Sequence, residues 1–370
     1  MQAAFINRGH QHLVETVVKL DADPTVAGLI VFVAGSDSGN VTPAGVVDAA
    51  MDISTPLVGG VFPEIIHEGK KFESGAVVAG LSVEPTVTAI SSVSDSATAV
   101  HEQLDPTLIE QGHETAFVFI DAHTDAIGGV VQGLFSTYGV EMDFVGGGAG
   151  TLDGAGETAL FTGDGLVEDG VVIATLPVSS GLGVRHGWQE FAGPFRVTDA
   201  DGRLLRTLDG EPAFDVYRRA LEMDTQEQPS PDEFFHVAKA NPFGITRLDG
   251  EHIVRDPFQV RENGAIECFG SLPDGEFVHI LQGDEQTLID SAGAAYDDAR
   301  TASPDGTTLF FDCISRVLYL EDRFENELQS VGGNKEPSVG ALTIGEIAND
   351  GYGHLEYYNK TAVALRLPHI

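Results

Sequence analysis

Short apolar runs alternate with amphipathic stretches along most of the chain. Runs such as Ala116–Ile120 are apolar at every position, which indicates strands that are covered on both faces. Apolar residues at three- and four-residue spacing, as in Val317, Leu320, Phe324 and Leu328, predict helices beside such strands. We therefore expect an α/β (mixed α+β) fold in which helices flank mixed sheets.

One sequence pattern occurs three times. Each copy reads as a β-α-β-β unit: an apolar strand, a helix, a second strand with a Val-Gly step or its like, and a last apolar strand. The first strand and the glycine are 28, 28 and 30 residues apart in the pairs Val31/Gly59, Val118/Gly146 and Phe310/Gly340. We expect two lobes built from these units.

The pattern also gives the helices. Within the copies they are predicted near Thr42–Met51, Ile127–Tyr138 and Arg316–Leu328. Before each copy a further helix is predicted, at His12–Leu20, Ser96–Gln111 and Glu285–Arg300. A fourth, degenerate copy is considered between Ala213 and Leu281.

The length of 370 residues exceeds what one hydrophobic core usually sustains. We place the division between the lobes after residue 185, giving lobes of residues 1–185 and 186–370. The chain starts close to its first helix, so we expect no strand before that helix. The two lobes use all the residues, so no separate output domain is expected.

The charge is far from neutral. The sequence carries 57 acidic and only 20 basic side chains, a formal net charge of −37, yet 42% of its residues are hydrophobic. Such a chain folds, and its self-repulsion is screened in molar salt, where the Debye length is about 3 Å. We therefore interpret the charge as adaptation to a saline cytoplasm. An acidic face for a basic partner is the alternative, and nucleic acid is not expected as a partner because no basic stripe exists.

Several common sites and signals are missing from the sequence. Two cysteines are too few for a disulfide framework, and neither a secretory signal nor about 18 uninterrupted apolar residues occurs, so we expect a cytoplasmic protein without a membrane segment. The glycine run that begins at Gly146 has Thr151 where a dinucleotide fingerprint needs glycine. The histidines are scattered, with only His10 and His12 close in sequence. No metal and no cofactor are predicted.

The third copy holds the most distinctive polar residues. Arg316 follows a buried strand at the start of a helix, where it could clamp a carboxylate or pair with Asp312 or Glu321. Cys313 is next to that helix start, where a thiol pKa is often lowered. It is therefore either a reactive thiol or a buried structural one.

Further along, lysine is rare enough that Lys360 needs a partner, either Glu346 or a ligand anion. Asn359 stands beside it. Glu64 has nearly the same offset in the first copy as Glu346 has in the third, so we expect the two to occupy related positions. The recurring glycines of the first two copies indicate a turn, a close backbone approach or a ligand-lining loop: Gly59, Gly60, Gly146 and Gly147.

Ordered motifs across nearly the whole chain resemble the FIST family, named after F-box and intracellular signal-transduction proteins. Similarity to the segment that joins the two halves of that family is found in Gly183–Trp188, Gly193–Thr198 and Leu208–Ala213. Its N-terminal half is resembled by Val58–Gly60 and Val145–Gly150, and its C-terminal half by Phe311–Cys313, Gly345–Glu346 and Asn359–Thr361. The resemblance implies a cytoplasmic sensor of small ligands such as amino acids. It also implies a signalling protein, such as a histidine kinase, as partner.

We therefore predict a two-lobed ligand-binding sensor. Arg316 and Lys360 are the predicted anion contacts, and Glu346 and Asn359 would orient an amino or amide group. Two alternatives stay open. One is an enzyme with Cys313 as nucleophile and Glu346 as base, and the other is a scaffold without a ligand.

Overall fold

The structure is a computed structural model that describes residues 2–7, 9–35, 41–94, 100–154, 158–222, 230–247, 251–333, 336, 338–349 and 354–368. Its strands lie in four sheets and its helices pack against them. The predicted mixed α+β fold, with helices flanking mixed sheets, is confirmed. None of the helices in these ranges combines the length and the apolar run that crossing a bilayer requires.

The strands follow the apolar runs of the sequence. In chain order they are β1 (Gln2–Ile6), β2 (Gly28–Ala34), β3 (Leu57–Phe62), β4 (Glu64–His67), β5 (Lys70–Phe72), β6 (Ala76–Leu81), β7 (Thr86–Ile90), β8 (Thr115–Asp121), β9 (Asp143–Ala149), β10 (Leu160–Thr162), β11 (Gly165–Val167), β12 (Val171–Leu176), β13 (Gly181–Arg185), β14 (Gln189–Asp201), β15 (Leu204–Leu208), β16 (Glu211–Pro212), β17 (Phe243–Ile245), β18 (Ile253–Val260), β19 (Ile266–Phe269), β20 (Phe277–Gln282), β21 (Gly306–Cys313), β22 (Val339–Thr343), β23 (Glu346–Asn349), β24 (Leu355–Tyr358) and β25 (Ala362–Pro368).

The helices lie between these strands. They are α1 (His10–Asp21), α2 (Pro43–Ala50), α3 (Thr107–Glu110), α4 (Ile127–Tyr138), α5 (Ala213–Glu222), α6 (Phe234–Ala238), α7 (Glu285–Ala302), α8 (Ile314–Leu320) and α9 (Phe324–Ser330). Short 3-10 turns occur at His101–Gln103, Gly139–Glu141, Pro231–Glu233, Glu262–Gly264 and Glu321–Arg323.

Three six-stranded sheets share one plan. Their orders are β1-β6-β2-β3-β10-β11, β7-β12-β8-β9-β23-β24 and β13-β25-β21-β22-β4-β5. In each sheet the third and fourth strands are the parallel pair, and the other pairings are antiparallel. The last two strands of each sheet are a hairpin that comes from a different part of the chain. The three sheets are therefore interlocked, because none is complete without another's hairpin.

A cluster of three phenylalanines joins the sheets at their inner faces. Phe32, Phe119 and Phe311 occupy the same position in β2, β8 and β21, each directly opposite residue 60, 147 or 341 of the parallel partner. Their ring centroids are 5.8 to 6.2 Å apart. All three rings are fully buried and belong to one apolar cluster. Their contacts hold the carboxyl halves of three central strands close together.

The fourth sheet, of order β14-β20-β17-β18-β19-β15-β16, is entirely antiparallel. It is inserted between β13 and α7 and lacks the parallel pair of the other three sheets. The interpretation of Ala213–Leu281 as a degenerate fourth copy is therefore wrong.

Most helix predictions agree with the structure, and two are wrong. Residues 95–99 lie outside the described residues, and the rest of the stretch predicted at Ser96–Gln111 contains only a 3-10 turn and the four-residue α3. The helix predicted at Arg316–Leu328 is broken into α8 and α9, because Glu321 adopts a φ of 49° between them. A positive φ cannot continue a right-handed helix.

Two further expectations concern the start of the chain and the division into lobes. A strand does precede the first helix: β1 pairs with β6 from Gln2↔Gly80 to Ile6↔Ala76, so the expected absence of an opening strand is wrong. The division into residues 1–185 and 186–370 remains a prediction. Hairpin β4–β5 completes a sheet with β21 and β22, and hairpin β23–β24 completes one with β8 and β9.

Candidate functional site

A buried polar cluster lies where β21, α8, β23 and the turn between β24 and β25 meet strand β18 of the inserted sheet. All its members are nearly inaccessible to solvent. They are Asp256, Asp312, Cys313, Arg316, Glu327, Glu346, Asn359 and Lys360. This cluster brings together five of the residues predicted from the sequence, although the chain separates them by up to 47 positions.

Arg316 uses every one of its N–H groups inside the protein. Its Nε and Nη2 donate to the Glu327 carboxylate at 3.0 and 2.6 Å, and the remaining donors reach backbone oxygens of His186, Leu288 and Lys360. The Asp312 carboxylate is 3.2 Å from Nε. No donor is left for a ligand, so the predicted role of Arg316 as an anion contact needs correction. Its partners are Asp312, which was predicted, and Glu327, which takes the place predicted for Glu321.

Lys360 is paired with a carboxylate that the sequence did not single out. Its Nζ lies 3.2 Å from Asp256 Oδ2, 3.1 Å from the backbone oxygen of Lys239 and 5.4 Å from the centre of the Trp188 ring. Glu346, the expected protein partner, forms no ion pair with Lys360. Asn359 donates to the backbone oxygen of Tyr358 and accepts from the Asp256 amide. Both side chains therefore serve the protein's own structure in this arrangement.

Glu346 is held by hydrogen bonds in the centre of the cluster. Its carboxylate accepts from the Thr343 hydroxyl at 2.7 Å and from the Thr361 amide at 3.2 Å. Burial raises its pKa to about 8, more than these hydrogen bonds lower it. Burial also raises the pKa of Asp256 and of Asp312. Four carboxyl groups thus share the cluster with two cations, and raised pKa values favour retention of protons there.

Cys313 is not the activated thiol that its position before a helix suggested. It is 2% exposed, and burial together with the neighbouring Glu346 and Asp256 raises its pKa. The helix it precedes has only seven residues. Because a thiol reacts as the thiolate, the expectation of a lowered pKa at Cys313 is wrong. The structural alternative fits its burial.

The predicted residues of the first two copies have packing roles. A Cβ on Gly59 or Gly146 would lie 2.1 Å from the carbonyl oxygen of the parallel strand. Gly147 lies opposite Glu346, and a Cβ on Gly60 would lie 3.1 Å from that of Ala149. A close backbone approach, one of the three interpretations, therefore explains Gly59 and Gly146.

Glu64 does not occupy the position equivalent to Glu346. By strand register it is Ile65 that lies opposite Ala341, as Glu346 lies opposite Gly147. Glu64 is one residue away, so its side chain points to the other face of the sheet, where it pairs with Lys71 at 2.8 Å. The expected relation between the two glutamates is therefore wrong.

A cavity of about 780 Å³ lies on the other side of strands β18 and β24 from the cluster. We call it the arginine cavity because Arg203, Arg247 and Arg255 line it. Its walls are the start of α4, the β14–β15 turn, the ends of β17 and β19, and β24. The volume is within the range of about 300 to 1,000 Å³ that is typical of small-molecule sites.

Arg255 is the buried cation of this cavity. It is 6% exposed, and its Nε and Nη1 donate only to backbone oxygens, those of Ser271, Val254 and Tyr357. Its Nη2 donates to none of the described residues. Arg203 and Arg247, by contrast, are paired with Asp125 and Glu356. Among the described residues, Arg255 thus forms no ion pair with a carboxylate, although the charge of Glu356 acts on it and acidic side chains outnumber basic ones almost threefold.

The surroundings of Arg255 are arranged for its side chain. Gly270 has a φ of 86°, and a Cβ there would lie 3.0 Å from Cδ and Nε of Arg255. Gly128 and Gly129 of the first turn of α4 also line the cavity, and the N-cap residue of that helix makes no side-chain capping bond. The first amides of a helix have no acceptor within it and favour anions. The cavity therefore offers a guanidinium and a helix start to one negatively charged group.

Sequence reasoning missed Arg255, Asp256 and Glu327. The first two interrupt the apolar run that begins at Ile253, and a buried strand with two adjacent opposite charges is an available signal. Alternation along β18 then sends them to opposite faces, Arg255 towards the cavity and Asp256 towards the polar cluster. Glu327 gives no such signal, because one acidic residue on a helix is ordinary in so acidic a chain.

Comparisons with known proteins agree with the resemblance seen in the motifs. The chain matches the FIST N domain over residues 28–211 and the FIST C domain over residues 213–349. It is also similar to uncharacterised proteins of Mycobacterium bovis and Mycobacterium tuberculosis, each 28% identical over 208 residues that make up 52% of this chain and 52% of the relative. The chain thus spans about half the length of these curated relatives. FIST domains are associated with signal transduction and small-ligand sensing.

Proposed function

Because this chain belongs to the FIST family, whose two domains match both of its halves, we propose that it is a cytoplasmic sensor of a small anionic molecule. The ligand binds in the arginine cavity. The signal then passes to a partner protein such as a histidine kinase.

The observation that carries the proposal is the state of Arg255. A guanidinium removed from water costs free energy unless its N–H groups and its charge are matched. Arg255 has three backbone acceptors and no ion pair with a carboxylate, it lines the cavity, and its Nη2 donates to none of the described residues. A ligand carboxylate at Nη2 would supply the missing charge in a charge-assisted hydrogen bond.

An amino acid is the ligand class that best matches the whole cavity. Its carboxylate would lie between Arg255 and the start of α4. Its ammonium group would face carboxylates of the cavity lining, among which Glu267 and Glu356, each paired with an arginine, are less than a quarter exposed. A ligand with only a negative charge would leave these carboxylates close to it, which costs affinity.

The anion contact thus moves from Arg316 and Lys360 to Arg255. The buried polar cluster becomes the support behind the cavity, since Arg255 and Asp256 are adjacent in β18, and Tyr357 and Asn359 are close in sequence. Tyr357 links the two directly: its backbone oxygen accepts from Arg255, and its hydroxyl donates to the backbone of Ile344, beside Glu346.

A thermal-shift screen in molar KCl tests the proposal. The probes are the common amino acids, matched dicarboxylic and monocarboxylic acids, and amines without a carboxylate. We expect stabilisation by at least one amino acid, and a ligand present at a hundred times its Kd should add about 2.7 kcal/mol to the free energy of unfolding. No shift with any carboxylate, or equal shifts with the amines, would contradict it.

A further inference from the structure

Glu190, His252 and His279 meet at one end of the inserted sheet, on β14, just before β18 and on β20. The Nε2 atom of His252 is 2.8 Å from Glu190 Oε1, and that of His279 is 3.7 Å from Oε2. All three ligand atoms lie within 4.8 Å of one another. Ligand atoms on a tetrahedral zinc ion, with bonds of about 2.0 to 2.2 Å, are about 3.3 Å apart. Only small shifts of side chains would be needed to reach that geometry.

The other ring nitrogens of the two histidines are already used. Nδ1 of His252 lies 3.3 Å from the backbone oxygen of Ile245, and Nδ1 of His279 lies 3.3 Å from the Thr246 hydroxyl. Metal-bound histidines typically make such a bond with the nitrogen that does not bind the metal, since it fixes the tautomer and the ring orientation.

The contact between His252 and Glu190 could accommodate a cation. A carbonyl oxygen only accepts, so His252 can donate to Ile245 in the tautomer that carries its hydrogen on Nδ1. In the neutral ring Nε2 is then a bare acceptor, and it faces a carboxylate oxygen at 2.8 Å. Two acceptors at that distance repel each other unless a proton or a metal ion lies between them.

The backbone leaves room for both imidazole rings. Gly244 lies opposite His279, and a Cβ on it would be 2.9 Å from Cβ of His252. A Cβ on Gly193 would be 3.1 Å from Cδ2 of His279. Strand β14 is irregular between Glu190 and Phe195, where its register with β20 shifts twice. Such bulges re-aim side chains.

The site is partly sheltered and open on one side. The side chains of His252 and His279 are 17% and 10% exposed, and that of Glu190 is 57% exposed. We infer that Glu190, His252 and His279 form a site for a divalent transition-metal ion, with zinc the best match. Two imidazoles and one carboxylate are a common three-ligand set for zinc, and they leave a fourth position for water or a small anion. This site is separate from the proposed sensor function and stands without it.

The test is zinc binding by the tag-free, full-length protein in molar KCl, after metal has been removed with a chelator. Zinc is titrated against a chromophoric chelator that competes for it. We expect one equivalent bound by the wild type, and none at the same chelator concentration for Glu190→Gln and for His279→Gln. Glu233→Gln and His101→Gln are matched controls at exposed positions away from the site, and they should bind like the wild type.

Two further measurements keep the result interpretable. Circular dichroism must show that each variant is folded, and the exposed Glu190→Gln should fold even where a histidine variant does not. Cobalt(II) in place of zinc should give the visible absorption of a low-coordinate site in the wild type and not in Glu190→Gln. No stoichiometric zinc in the wild type, or equal uptake by wild type and Glu190→Gln, would overturn the inference and leave only a proton-mediated His252–Glu190 pair.

Discussion

Replacing Glu346 by Gln should change how stability depends on pH. The carboxyl group titrates near 4.5 in the unfolded chain and near 8 in the folded one, because burial penalises its charge. Between these values the folded state holds a proton that the unfolded state has lost. The contribution of Glu346 to stability is therefore complete below about pH 4.5, falls as the pH rises through 8, and is constant above that.

The size of the effect follows from the separation of the two pKa values. Each unit corresponds to 1.36 kcal/mol, so a pKa raised from 4.5 to about 8 costs the ionised wild type about 5 kcal/mol at alkaline pH. Gln does not titrate, and it fits the site. Its amide can donate to Thr343 Oγ1, whose own hydroxyl reaches the Asp312 carbonyl, and its oxygen can accept from the Thr361 amide.

Urea denaturation in molar KCl at pH 5.5, 7 and 9 measures how the difference in free energy of unfolding between Glu346→Gln and the wild type depends on pH. At pH 5.5 the Gln variant and the wild type should differ by about 1.5 kcal/mol or less, and by pH 9 the variant should be more stable by several kcal/mol. The control is Glu211→Gln, an exposed carboxyl whose pKa is lowered by hydrogen bonds from Arg219, so its effect should be the same at all three pH values. A difference between Glu346→Gln and wild type that does not change with pH would refute the reasoning.

Three other outcomes are expected. Neither Cys313 nor Cys268 should react quickly with an aromatic disulfide reagent in the native protein, and both should react after unfolding; fast native labelling of Cys313 would revive the nucleophile hypothesis. Gly340→Ala should destabilise by about 3 kcal/mol or more, because its Cβ would lie 1.9 Å from the Phe310 oxygen, whereas Gly163→Ala, with no atom nearer than 3.8 Å, should change stability by less than about 1 kcal/mol. Raising KCl from 0.1 to 2 M should raise the Tm by at least about 10 °C, since it screens a net charge of −37, and an unchanged Tm would contradict the saline interpretation.

The strands and most helices could be predicted because their signals are local. Apolar runs and helical spacing depend on neighbours in sequence, so β8 and α4 were found almost at their observed ends. The break between α8 and α9 was missed because it depends on one backbone angle at Glu321, which no periodicity records. The exchange of hairpins among the three sheets was missed as well, since each hairpin could equally have paired with the strands that are near it in sequence.

The polar residues of the third copy were grouped correctly, but their roles depend on partners distant in sequence. Arg316 looked available for a ligand because the three backbone oxygens that it binds belong to residues 186, 288 and 360. The role of Arg255 could not be seen because the cavity beside it is built by parts of the chain more than a hundred residues apart. Sequence spacing shows which residues are unusual, whereas burial and hydrogen-bond partners show which of them has a donor left.

The central claim is that Arg255, and not Arg316, holds the ligand anion. The most direct test is calorimetric titration of the amino acid found in the screen into the wild type, Arg255→Lys and two matched controls, Arg316→Lys and Arg366→Lys, which also alter buried arginines. We expect Arg255→Lys to weaken binding roughly tenfold to a hundredfold, the effect of losing a hydrogen bond to a charged group, with both controls near the wild type. Unchanged affinity in Arg255→Lys, with a loss in Arg316→Lys, would contradict the account.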